Sequence, residues 1–177
     1  MIQPEDTGRG GAPIQLFIRM NPPWVFIDEI RRFVESFCAC AALGADREAQ
    51  VALAVHELMQ NAVPHARGQE VELDLEVDQK ADRVWIRVVN DCPEEAYAAL
   101  RQKVDAMYAE PDSLAHYLRT MKEQPSSARG GLGLARVRFE AQLDIRVRRK
   151  SATRIIVEAE GPLRAPRLPA VRGGTHG

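Results

Sequence analysis

Apolar residues along this chain recur with two periods, and each change of period marks an element. Ile14-Gln-Leu-Phe-Ile-Arg-Met20 has the apolar-rich character of a strand. Asn21 and Pro22 then supply an N-cap followed by a proline at the first helical position. Phe26, Ile30, Phe33, Phe37 and Ala41 repeat at helical spacing as far as about Leu43, and Gly44 stops that helix. Asp46 is expected to cap a second helix that runs to Pro64, where the missing backbone donor bends or ends it. Within it Val51, Ala54, Val55, Leu58, Ala62 and Val63 form an apolar surface wide enough to pack on a sheet. Residues 70–77 alternate strictly between apolar and polar, so one face of that strand is buried and one is wet. Residues 83–89 alternate less cleanly, as a more central strand does, and 78–82 suit a turn between the two. Past Pro93, residues 94–124 read as two helices broken at Pro111, with Asp112 capping the second. A loop at 125–131, a short helix at 134–142 and alternating strands at 144–149 and 153–158 complete the pattern.

Strand pairs separated by helices predict the α+β class: a two-layer sandwich whose mostly antiparallel sheet is covered by helices on one face. A chain of 177 residues accommodates one domain with a real core. That domain is placed at 13–160 with an insertion at about 93–130, between tails at 1–12 and 161–177 that have little to pack. A net charge of −1 gives no polyanion-binding surface, so nucleic acid is not an expected partner. No apolar run approaches the roughly 18 residues of a membrane span, and the N-terminus lacks the segments of a signal peptide. Cys38, Cys40 and Cys92 match no common zinc spacing, which points to a reducing, cytoplasmic compartment. Cys38 and Cys40 read as small core residues, and Trp24 and Trp85 as core or core-edge residues.

The chemistry concentrates in two stretches. In Val55-His-Glu-Leu-Met-Gln-Asn-Ala62, Glu57 and Asn61 are four residues apart and therefore stacked on one side of a helix. Alone, such a pair is also what two solvated flank residues look like. In Arg129-Gly-Gly-Leu-Gly-Leu-Ala-Arg136, Gly130, Gly131 and Gly133 let main-chain N–H groups approach a ligand closely. The helix that begins there points its positive end at the same place, and Arg129 adds a charged contact. Together these suit a phosphate. An Asn oxygen fits a Mg²⁺ held mainly by phosphates and water, and a carboxylate one turn away suits proton removal from an attacking hydroxyl. The glycine segment is neither a P-loop, lacking Gly-Lys-Ser/Thr, nor a dinucleotide fingerprint, lacking a strand that runs into it. His56-Glu57 opens like a zinc-protease motif, but position 60 is Gln, and His56, His65 and His116 form no triad.

Glu57-x-x-x-Asn61 followed by Gly130-Gly-Leu-Gly-Leu-Ala135 resembles the Bergerat ATP-binding fold shared by histidine kinases, type II topoisomerases, Hsp90-type chaperones and MutL, the GHKL superfamily. The first stretch resembles its N-box and the second its glycine-rich lid motif. Size and layout are closest to the small anti-sigma-factor serine kinases. The resemblance covers roughly residues 14–160. It implies ATP and Mg²⁺ as ligands, Glu57 as base, Asn61 on the metal, and Arg129, Gly130, Gly131, Leu132, Gly133 and Leu134 around the phosphates. The family's Asp-x-Gly-x-Gly, whose Asp accepts from the adenine amino group, is replaced here by Val89-Asn90-Asp91-Cys92-Pro93-Glu94. By strand register Asn90 takes the Asp position, and its amide oxygen is an acceptor. Asp91 would need a one-residue slip that turns it to the other face.

The resemblance implies two functions. In one, the chain is a Mg-ATP-dependent serine/threonine kinase that phosphorylates a small antagonist or sigma-factor-like protein in a bacterial partner switch. In the other, it is a non-catalytic member of the fold that docks a partner and binds nucleotide weakly or not at all. Segment 94–124 is a nucleotide lid in the first and a docking surface in the second. A homodimer is a further expectation of the resemblance.

Overall fold

The computed structural model describes residues 12–21, 24–65, 70–123 and 132–164. Five strands form one antiparallel sheet: β1 (Ile14–Met20), β2 (Val71–Asp78), β3 (Arg83–Asp91), β4 (Asp144–Arg149) and β5 (Arg154–Pro162), in the order β1-β2-β3-β5-β4. The helices are α1 (Ile27–Cys40), α2 (Ala45–Ala62), α3 (Glu94–Ala109), α4 (Ser113–Glu123) and α5 (Leu132–Phe139). This is the two-layer α+β sandwich that the alternation of strand and helix patterns predicts.

Strand parity builds the core. Val71, Leu73, Leu75 and Val77 of β2, Val84, Ile86 and Val88 of β3, and Ile155, Val157 and Ala159 of β5 are all buried on the helix-covered face. α2 lies in the middle of the helical layer, so most of its circumference is apolar and buried, from Val51 to Ala62. Glu72, Asp74 and Glu76 point the other way. There Glu72 meets Arg19 at 3.6 Å, Lys150 at 3.1 Å and Arg154 at 3.2 Å, while Asp74 pairs with Arg87. Arg87 also lies over Trp85, and Arg19 over Phe17.

Several local expectations shift. The first helix begins at Ile27, after a single 3-10 turn at Trp24–Phe26, with Phe26 and not Asn21 at its N-cap. The buried stripe is Ile27, Ile30, Val34, Cys38 and Ala41, an i, i+3, i+7, i+11, i+14 series that takes Val34 in place of Phe33. Phe26 and Phe33 are exposed, and Phe37 packs at the edge of the core. Cys40, two positions from Cys38, lies on the opposite side of the helix and is exposed, not a core residue. Gly44, with φ of +88°, takes the N-cap of α2, a left-handed conformation that favours glycine. Asp46 sits inside the first turn, where its charge complements the helix dipole without a capping bond. Asp112 does cap: its Oδ1 accepts from the amides of Leu114 at 2.9 Å and Ala115 at 3.2 Å. β5 continues to Pro162, and Leu163 beyond it is buried and donates its amide to the Asp82 carbonyl, so packed chain extends past residue 160. The expectations for residues 1–11, for the side chain of Trp24 and for the loop at 125–131 lie outside the described residues.

Candidate functional site

A cavity of about 990 Å³ opens between the C-terminal half of α2, the inner face of the sheet, α3 and the start of α5. That is the upper end of the size of small-molecule sites. Its wall from α2 carries His56, Glu57, Gln60 and Asn61, and Pro64 lies just past the helix end. The sheet gives Asn90, Ile155 and Val157; α3 gives Ala96, Ala99, Leu100 and Lys103; α5 gives Leu132, Gly133, Leu134 and Arg136. α3 is thus the wall facing α2, whereas no α4 residue reaches the cavity.

Asn90 is placed by parity. Val84, Ile86 and Val88 put even-numbered β3 positions on the inner face, and Asn90 continues that series, paired across the ladder with Ile155. Its Nδ2 donates to the carbonyls of Asp91 at 2.7 Å and Ala62 at 3.4 Å. Two carbonyls can only accept, so the nitrogen must face them and the oxygen must face away. That Oδ1 has no hydrogen-bond partner although the residue is only 1% exposed. Asp91 sits on the outer face, opposite Arg154, 3.9 Å from its Nε, and is not part of the cavity wall.

One helical turn separates Glu57 from Asn61, whose Nδ2 donates to the Glu57 carbonyl at 2.9 Å. This leaves the Asn61 amide oxygen as the acceptor available to a ligand. The Glu57 carboxylate is 9% exposed and accepts from Arg136. Its other oxygen lies against α5: a Cβ added at Gly133 would stand 2.6 Å from Oε2. No residue but glycine fits there without moving Glu57. The N-box helix and the glycine segment, far apart in sequence, therefore touch at Glu57 and Gly133. Arg129, Gly130 and Gly131 lie outside the described residues.

Sequence reading left Arg136, His56 and Lys103 without a role at the site. Arg136 ends the glycine stretch, but its reach to Glu57 spans 79 positions and has no local signal. His56 is bound to Gln60 at 2.8 Å and lies 3.5 Å from Asp28. Among the described residues no cluster of three or more His, Cys, Asp or Glu side chains is placed to hold a metal. A lone amide oxygen from Asn61 fits a Mg²⁺ that takes most of its ligands from phosphates and water, and fits no ion that depends on a protein cage.

A family model for the histidine kinase-like ATPase domain matches residues 26–153, a span that contains Glu57, Asn61, Asn90, Gly133 and Arg136. The chain belongs to this family. Comparison of the histidine kinase-like ATPase domain with curated proteins finds no match. Among solved structures, a chain of the SiaB–SiaC complex from Pseudomonas aeruginosa superimposes with a TM-score of 0.67 at 16% identity, covering 82% of this chain and 88% of that one. At that identity the likeness is one of fold. Among the described residues, no helix of this ATPase domain is long and apolar enough to cross a membrane.

Proposed function

We propose that the chain binds ATP in this cavity and regulates a small partner protein by transferring the γ-phosphoryl group to a serine or threonine hydroxyl. The observation that carries the reading is the orphaned Asn90 Oδ1. A buried acceptor without a partner costs about 1–3 kcal/mol, and at the inner edge of a large cavity it is satisfied by a ligand that brings an N–H. The exocyclic amino group of adenine does so; the corresponding oxygen of guanine does not. Leu132, Gly133 and Leu134, at the amino end of α5, then lie where backbone N–H groups and the helix dipole favour phosphates. Arg129, Gly130 and Gly131 belong to the same proposed wrap.

Asn61 would hold a Mg²⁺ whose charge offsets that of the phosphates. In the transfer, the acceptor hydroxyl gives its proton to Glu57 and its oxygen bonds to the γ-phosphorus. The bond from that phosphorus to the β–γ bridging oxygen breaks, and ADP leaves. A protein partner is supported by the fold neighbour, which was solved as a complex of two proteins. A cytoplasmic location, a homodimer and a bacterial partner switch of the anti-sigma kind belong to the same proposal. A second reading, in which the domain docks its partner without transferring phosphate, is favoured by one observation: Arg136 already holds the Glu57 carboxylate.

Thermal denaturation with Mg-ATP tests the first reading. Ligand at 100 times its dissociation constant adds about 2.7 kcal/mol, a rise of several degrees for a chain of this size. GTP should give a much smaller shift, and Asn61→Ala should remove the Mg²⁺ dependence. No shift at millimolar ATP would overturn the assignment of this cavity to a nucleotide.

A further inference from the structure

A carboxylate that is to remove a proton must be able to turn an oxygen toward the hydroxyl. Glu57 has little room to do so. One oxygen accepts from Arg136, and the other lies against α5, where a Cβ at position 133 would stand 2.6 Å from it. The bond to Arg136 fixes the carboxylate in that orientation, so the group swings toward an acceptor in the cavity only when the bond opens.

Arg136 is itself fixed. Its Nε donates to Glu140 at 3.0 Å, and a terminal nitrogen lies 3.4 Å from the second Glu140 oxygen. Glu140 also accepts from the Tyr117 hydroxyl at 2.9 Å, and the Tyr117 ring stacks on Phe139 with centroids 5.1 Å apart. The guanidinium is thus gripped between carboxylates of two elements, with a third element, α4, steadying the outer one. Yet Arg136 is not sealed in: its side chain is 34% exposed on the cavity wall, within reach of an anionic ligand. Phosphate oxygens compete well for a guanidinium, because they offer the same planar two-point pairing as a carboxylate.

Building on the ATP reading above, we infer that Arg136 is a brake on Glu57. It is a positioning residue that withholds the carboxylate from the acceptor until the Glu57–Arg136 bond opens. The two functional readings are then two states of one site, docking with the bond closed and transfer with it open.

The test uses the full chain with Mg-ATP and water as acceptor, reading ADP release. Water gives its proton to Glu57, its oxygen bonds to the γ-phosphorus, and ADP and phosphate leave. Arg136→Gln should raise kcat at least tenfold while KM changes less than threefold. Arg136→Gln combined with Glu57→Gln should lose the whole gain and fall below the wild-type kcat. A structural staple would not produce that gain. Tyr117→Phe keeps the ring stack and loosens only Glu140, so a two- to threefold rise is expected, and this variant decides the matter if Arg136→Gln does not fold. If wild type binds ATP and neither variant gains turnover, or if the gain survives loss of Glu57, the brake is overturned and the ATP reading stands. If wild type shows no ATP binding, both fall together.

Discussion

The two ends of α2 treat buried polar groups in opposite ways. At the amino end Arg47 is 4% exposed, and its terminal nitrogens donate to the Ala141 carbonyl at 2.5 Å, the Pro162 carbonyl at 2.6 Å and Gln50 at 3.0 Å. Burial lowers its affinity for its proton, and the chain compensates with main-chain acceptors. Only Nε is left over, and Arg47 is not part of the wall of the 990 Å³ cavity. The carboxyl end shows the other pattern. Asn61 keeps an amide oxygen for a ligand, Asn90 on the facing strand leaves its buried Oδ1 unmatched, and both residues line the cavity of about 990 Å³. A polar group that finds its partners inside the chain is there for the fold. One that faces a cavity without them is there for something the chain does not contain.

The largest effect that tests this contrast is on stability. Arg47→Met keeps the stem but strands the carbonyls of Ala141 and Pro162, so a loss of about 3 kcal/mol is expected, read from urea midpoints. ATP affinity should move less than twofold. A binding defect of the same size as the stability loss would mean that the two ends are not separate. At the other end, Asn90→Leu removes the unmatched acceptor. ATP affinity should fall at least tenfold, about 1.4 kcal/mol, by titration calorimetry. The stability cost of the lost Nδ2 donors should be near 1 kcal/mol. If Asn90→Leu costs as much stability as Arg47→Met and leaves binding intact, Asn90 is a structural residue and the comparison collapses.

The smallest effect concerns how tightly the amino end is closed. Cys38 packs near Arg47 and Glu48, and burial, with Glu48 adding to it, pushes its thiol up to about 12. Burial raises the Cys92 thiol as well. Thiolates, not thiols, react with alkylating agents. Iodoacetamide at pH 8 should therefore modify Cys40 alone in the native chain, with Cys38 and Cys92 reacting only after denaturation, as read by mass spectrometry. Native labelling of Cys38 would show that this end opens.

Much of the architecture was readable because period and parity are local properties. The alternation at 70–77 and 83–89 yields β2 and β3, and the same parity puts Asn90 inside and Asp91 outside without any knowledge of the helices. What escaped depends on phase or on distance. The buried stripe of α1 runs through Val34 and Cys38 and leaves Phe33 exposed, because i+3 and i+4 neighbours are both apolar there and only the packing partner chooses between them. Leu163 is buried just past the end of β5, with its amide bound to the carbonyl of Asp82, which lies far back in the chain. The meeting of Glu57 with Gly133 was legible as a motif resemblance, since each is unremarkable alone. Arg136 was not, because an arginine on a short helix carries no sign of which distant carboxylate it will meet.

On the outer face of the sheet, Glu72 of β2 gathers Arg19 from β1, Lys150 from the turn after β4, and Arg154 from β5 across the intervening strand. Glu158 with Arg148, and Asp74 with Arg87, repeat the theme. A surface whose cations and anions already answer one another projects little field into solvent and offers few idle hydrogen bonds to a visitor. This side of the molecule behaves as a closed mosaic, with little charge left over for anything outside it.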